Sequence, residues 1–314
     1  MKSTGMNRLV SASLFALTLF CAALVFFPYY WMFVSSVGSK SLFQWPPSII
    51  PDELDLSAYV KIFRERPMLA WLQNTAFVAT ATALFCTLVS INAGYALSRF
   101  NTRIVNAFSI LILVAQMLPA ALIVVPLYVA FRQLGLYNTL IGLAIADSAF
   151  ILPLATWLMK GFFDRIPIEL EEQAQIDGCT RFGAFWRVVL PPAAPGLIVV
   201  IAMSFISAWD EFFLARTLIS SQTNWVLSVA LTSFEGQYTI AWSEMMAAAV
   251  VFAVPAAGFF LFVQRYLVAY WELVLGLPAI LATYGIVLWY RGFEEEDRLL
   301  FAGRDKMLKD REQS

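Results

Sequence analysis

Few residues in this 314-residue chain could carry chemistry. Histidine is absent, which removes imidazole acid–base catalysis, Ser-His triads and most zinc sites. The cysteines, Cys21, Cys86 and Cys179, have no metal-ligand spacing, and the first two sit in apolar runs, so a disulfide framework is not expected. No G-x-x-x-x-G-K-[ST] phosphate loop occurs, and Ser39-Lys40-Ser41 lacks the preceding glycines, so any ATP must be bound elsewhere. What remains is carboxylates in two settings. Asp147, Asp210 and Glu211 lie in or beside apolar runs. Asp164, Glu169, Glu171, Glu172 and Asp177 lie together in a polar stretch, among Lys160, Arg165, Arg181 and Arg187. Scattered carboxylates with no nucleophile or metal set beside them argue against a membrane-embedded enzyme. They suit binding, orientation or contact with a partner.

The elements that position these groups are membrane spans. The chain is 60% hydrophobic and 14% charged, with a mean hydropathy of +0.72, the composition of an integral membrane protein. Its net charge of −1 offers no basic surface for nucleic acid. Apolar runs predict an all-α, polytopic, six-span protein, with spans near Leu9–Val34, Met68–Leu97, Ile104–Phe131, Thr139–Met159, Gly196–Leu214 and Trp242–Tyr266. The first run is too long for a secretory signal core and shows no small-residue cleavage site, so it reads as an uncleaved span. Pro119 and Pro126 can kink the third. A further apolar run, Val268–Tyr290, precedes a charged tail; it is either a seventh span or a re-entrant or interfacial helix. Three segments follow: 1–67, the first span and an outer loop; 68–268, a core; and 269–314, an atypical apolar helix and charged tail.

The polar stretch, residues 160–195, is too long and too patterned for a minimal connection between two spans. Pro167 suits a first helical position, and Glu169, Glu171 and Glu172 fall where the helix dipole favours negative charge. Gly178 can end that helix in the left-handed conformation. Thr180 can cap a second helix, on which Phe182, Phe185, Trp186 and Val189 repeat at i, i+3, i+4, i+7, before Pro191 and Pro192 end it. An acidic helix, a glycine turn and an aromatic-faced helix result. By pattern alone this is either a solvated amphipathic loop or a docking elbow.

Glu172, Gln173, Ala174, then Gly178, then Val188, Leu190 and Pro191 follow the spacing of a known signature: Glu-Ala-Ala, three residues, Gly, nine residues, Ile, one residue, Leu-Pro. Gln173 for Ala and Val188 for Ile are the departures. In this the chain resembles the permease subunits of binding-protein-dependent ABC importers. Further phrases, Trp71-Leu72-Gln73-Asn74-Thr75, Ala93-Gly94-Tyr95-Ala96-Leu97-Ser98-Arg99-Phe100, Ser233-Phe234-Glu235-Gly236 and Gln264-Arg265-Tyr266, look like its maltose and multiple-sugar branch. The resemblance runs from about Phe27 to Val268. It implies a permease core that pairs with a second permease, sits on two ATPase subunits and receives a sugar or polyol from an extracytoplasmic solute-binding protein. ATP would be bound by the ATPases, and this chain would need no cofactor. By the same likeness Glu171, Glu172, Ala174, Asp177, Gly178, Phe182, Trp186, Leu190 and Pro191 form the ATPase-coupling site. Glu172 would meet a basic residue, Gly178 would make the turn, and the Phe182/Trp186 face would fill a groove. The charged tail departs from the family pattern.

Basic residues independently suggest orientation. Lys2, Arg8, Arg99, Arg103, Lys160, Arg165, Arg181, Arg187 and Arg265 fall on one side of six alternating spans, which takes the cytoplasm and places both the N-terminus and the 160–195 loop inside. Asp147, Asn74, Asp210 and Glu211 are the candidates for the translocation path, with Asn92, Gln116 and Glu244 behind them. An ionised carboxylate near mid-bilayer costs about 2.5–3.5 kcal/mol, so Asp147 is expected to face the bundle interior. It either lines the path or serves as a structural partner for Ser, Thr, Asn or Gln on another span. A competing reading makes the chain an autonomous secondary transporter with Asp147 as the ion-coupled group.

Overall fold

The computed structural model describes residues 3–38, 50, 54–100, 102–236 and 241–291, with side chains placed from 16 to 266 among them. The described residues are helical throughout their long elements. Helix α1, Ser3–Val37, carries the first span. A short amphipathic helix, α2 (Ser57–Glu65), buries Ala58 and Ile62 and leads through Pro67 into α3, Met68–Arg99. Next come α4 (Arg103–Ala115), α5 (Ala120–Gln133) and α6 (Leu140–Phe163). The polar stretch forms α7, Ile168–Ile176, and α8, Arg181–Ala184, which runs on as a π-helical turn over Phe185–Val189. Helix α9, Ala194–Trp209, returns across the bundle to short helices α10 (Phe213–Leu218) and α11 (Leu227–Ala230). Helix α12 spans Trp242–Arg291. Among the described residues four helices are long and apolar enough to cross a membrane, or up to six if each of two bent pairs counts as one span.

One of those pairs sharpens the sequence reading. The kink expected within 104–131 is a bend of 100° between α4 and α5, which makes this stretch a broken span or a re-entrant loop. The break falls at Pro119, which has no N–H to donate and disfavours helical backbone at Leu118. Gln116, at the break, donates its side-chain amide to the Phe150 carbonyl at 3.0 Å. Pro126 stays inside α5. The second pair, α8 with its π-turn and α9, bends by 81°. The predicted sixth span and the Val268–Tyr290 run lie in the single helix α12, and the charged tail after Arg291 lies outside the described residues.

The chain divides into two units, Met1–Leu261 and Phe262–Ser314. In the second, the Arg265 guanidinium lies 4.3 Å from the Phe262 ring centre and 4.7 Å from that of Tyr266. The first is organised around α3, α6 and α9. Two glycines let these helices approach closely. A Cβ on Gly94 would come within 2.7 Å of Met159 Cβ, and one on Gly196 within 2.6 Å of the Phe162 ring. In a bilayer, where lipid is as apolar as leucine, small residues and backbone proximity give helices a reason to associate. Several buried hydroxyls on α3 and α6 are paired within their own helix: Thr75 and Thr87 return to the carbonyls of Trp71 and Ala83, and Ser148 to that of Ala144.

The two ends of this bundle differ. At one, Asn138, with a left-handed φ of 59°, accepts from the Ser220 and Ser221 amides and the Ser221 hydroxyl. Trp71 Nε1 donates to the Gln222 carbonyl, and Asn74 to those of Thr223 and Trp225. These bonds tie the 216–236 segment down as a cover. At the other end lies the polar stretch 160–195.

Candidate functional site

Local rules build the elbow of residues 160–195. Pro167 precedes α7 with φ −56° and ψ 136°, and Glu169 and Glu171 occupy the first turn. The helix closes with a double backbone bond: the Gly178 N–H donates to the Gln175 carbonyl at 3.1 Å, and the Cys179 N–H to that of Ala174 at 2.9 Å. That Schellman closure requires a left-handed residue, and Gly178 supplies φ 90°. A Cβ there would meet nothing within 4 Å, so the requirement is conformational, not steric. Thr180 Oγ1 then accepts from the Gly183 N–H at 3.1 Å and starts α8. The Leu190 N–H reaches the Phe185 carbonyl at 2.8 Å, five residues back, which defines the π-turn.

The predicted aromatic face splits in two. Phe185 and Val189 enter a core with Met159, Phe163 and Ile166, while Phe182 is 73% exposed and Trp186 49% exposed. The outward pair stack edge-on with ring centres 6.0 Å apart. On α7 the helical period makes a similar division. Glu172 faces out, as do Asp177 and Gly178 beyond it, whereas Glu171 and Ala174 turn into the bundle. Pro191 is exposed and Leu190 half-buried. Of the residues grouped from sequence, then, Glu172, Asp177, Gly178, Phe182, Trp186 and Pro191 are exposed, Glu171 and Ala174 are buried, and Leu190 is half-buried.

Glu171 is 5% exposed, and both of its oxygens are engaged. One accepts from the Tyr95 hydroxyl and the other from Arg99 Nε at 3.1 Å. Arg99 spends its remaining nitrogens on the carbonyls of Phe163 (3.3 Å) and Ile166 (3.1 Å), where α6 ends. Tyr95 lies against Phe185, ring centres 4.6 Å apart. Sequence reasoning had Arg99 only as a charge near an inner turn; nothing local marks it as the partner of a carboxylate 72 positions away.

The intramembrane candidates are not brought together into one site. Asn74 is committed to two carbonyls of the cover. Glu211 caps α10, accepting from the Leu214 N–H at 2.7 Å and the Ala215 N–H at 2.8 Å. Gln116 holds the Phe150 carbonyl, Asn92 bonds back to that of Leu88, and Glu244 pairs with Lys61. That last contact raises the Lys61 pKa above its ordinary value, through the Glu244 hydrogen bond first and the carboxylate's charge second. Asp210 is exposed at the end of α9. Asp147 is 1% exposed inside the bundle, and neither of its oxygens has a hydrogen-bond partner among the described residues. The same holds for the Ser204 hydroxyl. No group of three or more metal-ligating side chains occurs among the described residues.

Comparison with known proteins adds a family. Residues 87–271 match the model described as "Binding-protein-dependent transport system inner membrane component". The chain is 34% identical to the sulfoquinovosyl glycerol transport system permease protein of Agrobacterium fabrum, over 74% of this chain and 81% of that protein. It is 35% identical to the maltose/maltodextrin transport system permease protein of Yersinia pestis, over 64% of this chain and 68% of that one. Among solved structures, a chain of a bacterial ABC transporter involved in the import of the acidic polysaccharide alginate superposes with a TM-score of 0.72 at 23% identity, covering 85% of this chain and 98% of that chain.

Proposed function

The chain belongs to the binding-protein-dependent transport system inner membrane components, and we propose that it forms, with a second permease, the path of an ATP-driven importer for a sugar or related polyol. Membership makes it a multi-pass transport subunit and not an enzyme. The cargo class follows the two curated relatives above, both permeases of systems for glycosides or oligosaccharides. The observation that carries the proposal is the outward half of the elbow: Glu172 on α7, the Gly178 turn, and the unpaired apolar surface of Phe182 and Trp186. An exposed pair of aromatics beside a carboxylate, held on a short rigid scaffold, is what an inserted anchor on a partner's groove requires. A charged partner loop would meet Glu172, and the aromatics would fill the groove. Nucleotide is bound by that partner, an ATPase, and its closure moves the elbow as a rigid body that switches the cavity between the two sides of the membrane.

Orientation follows from charge. Arg99, Lys160, Arg165, Arg181 and Arg187 share the elbow's end of the bundle, while Lys61, Arg64, Arg66, Arg132 and Arg216 fall opposite, mostly in a longer loop where the rule is weak. This supports a cytoplasmic reading for the elbow's end and for the N-terminus. The cover of residues 216–236 then faces the solute-binding protein, and exposed Asp210 lies where hydroxyl-rich cargo arrives. An autonomous transporter coupled through Asp147 is set aside, because the family depends on a binding protein.

Purification of the tagged chain with its neighbouring subunits tests this. The wild-type chain should bring down an ATPase, and Glu172→Lys should reduce its recovery at least about tenfold, a loss of about 1.4 kcal/mol or more, while leaving the permease in the membrane. Undiminished ATPase recovery with Glu172→Lys would remove the assignment.

A further inference from the structure

Helix α7 is attached to the bundle with very little apolar surface. Ile168, Leu170 and Ile176 are exposed, and its buried residues are Glu171 and Ala174 alone. Between the end of α3 and the elbow lies an open cavity of about 430 Å³, bordered by Tyr95, Arg99, Glu171, Glu172, Arg181 and Phe182. The apolar contact of the elbow with the bundle comes from Phe185 and Val189 in its second half; at α7 hydrophobic packing does not seal the boundary, and a polar cluster on the cavity's wall bridges it. We propose that Tyr95, Arg99 and Glu171 form a latch that welds the elbow to α3, so that a displacement imposed on the elbow passes into the bundle and is not absorbed by the loop. They are positioning residues for transport, a role that rests on the coupling function proposed above.

Geometry assigns the part each residue plays. Tyr95 and Arg99 stand four residues apart on α3, one above the other on the same face. Arg99 joins three elements with one planar group: Nε holds the carboxylate of α7, while the two terminal nitrogens hold carbonyls at and just beyond the end of α6. Those carbonyls carry the negative end of the α6 dipole, so a cation is favoured there twice over. Both ion-pair side chains are nearly sealed, 10% and 7% exposed, which removes the solvent screening that makes surface pairs weak. Tyr95 adds the fourth piece: its hydroxyl holds Glu171 while its ring packs on Phe163 and Phe185, the first residue of the π-turn. A lysine at position 99 would keep the charge but could not reach three acceptors in a fixed plane.

The test uses the whole importer in proteoliposomes, with both permeases, the ATPases and the binding protein, and reads cargo taken up per ATP hydrolysed. Arg99→Lys and Glu171→Gln are expected to lower that ratio about fivefold or more, the lower bound of ordinary coupling energies, with uptake falling further than hydrolysis. In the same variants, amide exchange over residues 168–176 should speed up while α9 keeps its protection. A purely structural role predicts uptake and hydrolysis falling together with the amount of assembled complex, and that result overturns the latch. So does an unchanged ratio in both variants. A wild-type complex that recruits no ATPase overturns the coupling function itself, an outcome visible before any latch variant is made.

Discussion

Among the described residues two carboxylates are buried, and their surroundings are opposite. Glu171, at the elbow, has a hydroxyl on one oxygen and a guanidinium on the other. Asp147, within the bundle, has no hydrogen-bond partner among the described residues on either oxygen. The first is fixed by contacts that break if any one member is removed. The second costs the fold desolvation without a bond in return. A buried polar group that is fully satisfied specifies a geometry, whereas one that is not is kept for some other reason or is merely tolerated.

Matched substitutions test this contrast. Glu171→Ala should have the largest effect, about 3–5 kcal/mol, because it leaves the Arg99 cation buried without its partner. Thermal unfolding of the purified chain and amide exchange over 168–176 would read it; equal losses from Glu171→Ala and Asp147→Ala would erase the distinction. Gly178→Val comes next, at about 1–2 kcal/mol, the penalty for a left-handed residue with a Cβ. Since nothing would touch that Cβ, Gly178→Asn should restore much of the loss, and a failure of Asn to do so would point to a steric constraint instead.

Replacing both Phe182 and Trp186 by Ala should cost less than about 1 kcal/mol of stability, as Phe182 is largely and Trp186 half exposed. The same change should remove ATPase from the purified complex, which separates the outer half of the elbow from its anchored half. Asp147→Asn should have the smallest effect on stability, about 0.5 kcal/mol or less, since no hydrogen bond is lost. Its transport kinetics then discriminate: altered cargo affinity or rate marks a path-lining group, and unchanged kinetics a structural one.

The elbow was readable from the chain because its determinants are local. Pro167, Gly178, Thr180 and Pro191 each act on backbone within a few residues, so a helix, a left-handed closure, a cap and a stop follow from residue type and order. The spans were equally plain, since a run of apolar residues has only one comfortable environment. Pro119 was legible as a bend but not as a 100° break, because the angle depends on what the two halves pack against, including the Gln116 bond to the Phe150 carbonyl.

Which polar residue does what was decided by the tertiary structure. Asn74 and Glu211 were read as candidates for the path, yet the fold employs one to hold the cover and the other to cap α10. Glu171 and Glu172 are neighbours of the same type with the same local signals, and a rotation of about 100° per residue sends one inward and one outward. Sequence determined that the elbow exists and where it bends. Only the folded chain, by bringing Arg99 across 72 positions to Glu171, decided which half of it is anchored and which half is left free to meet a partner, because long-range pairing leaves no trace in local order.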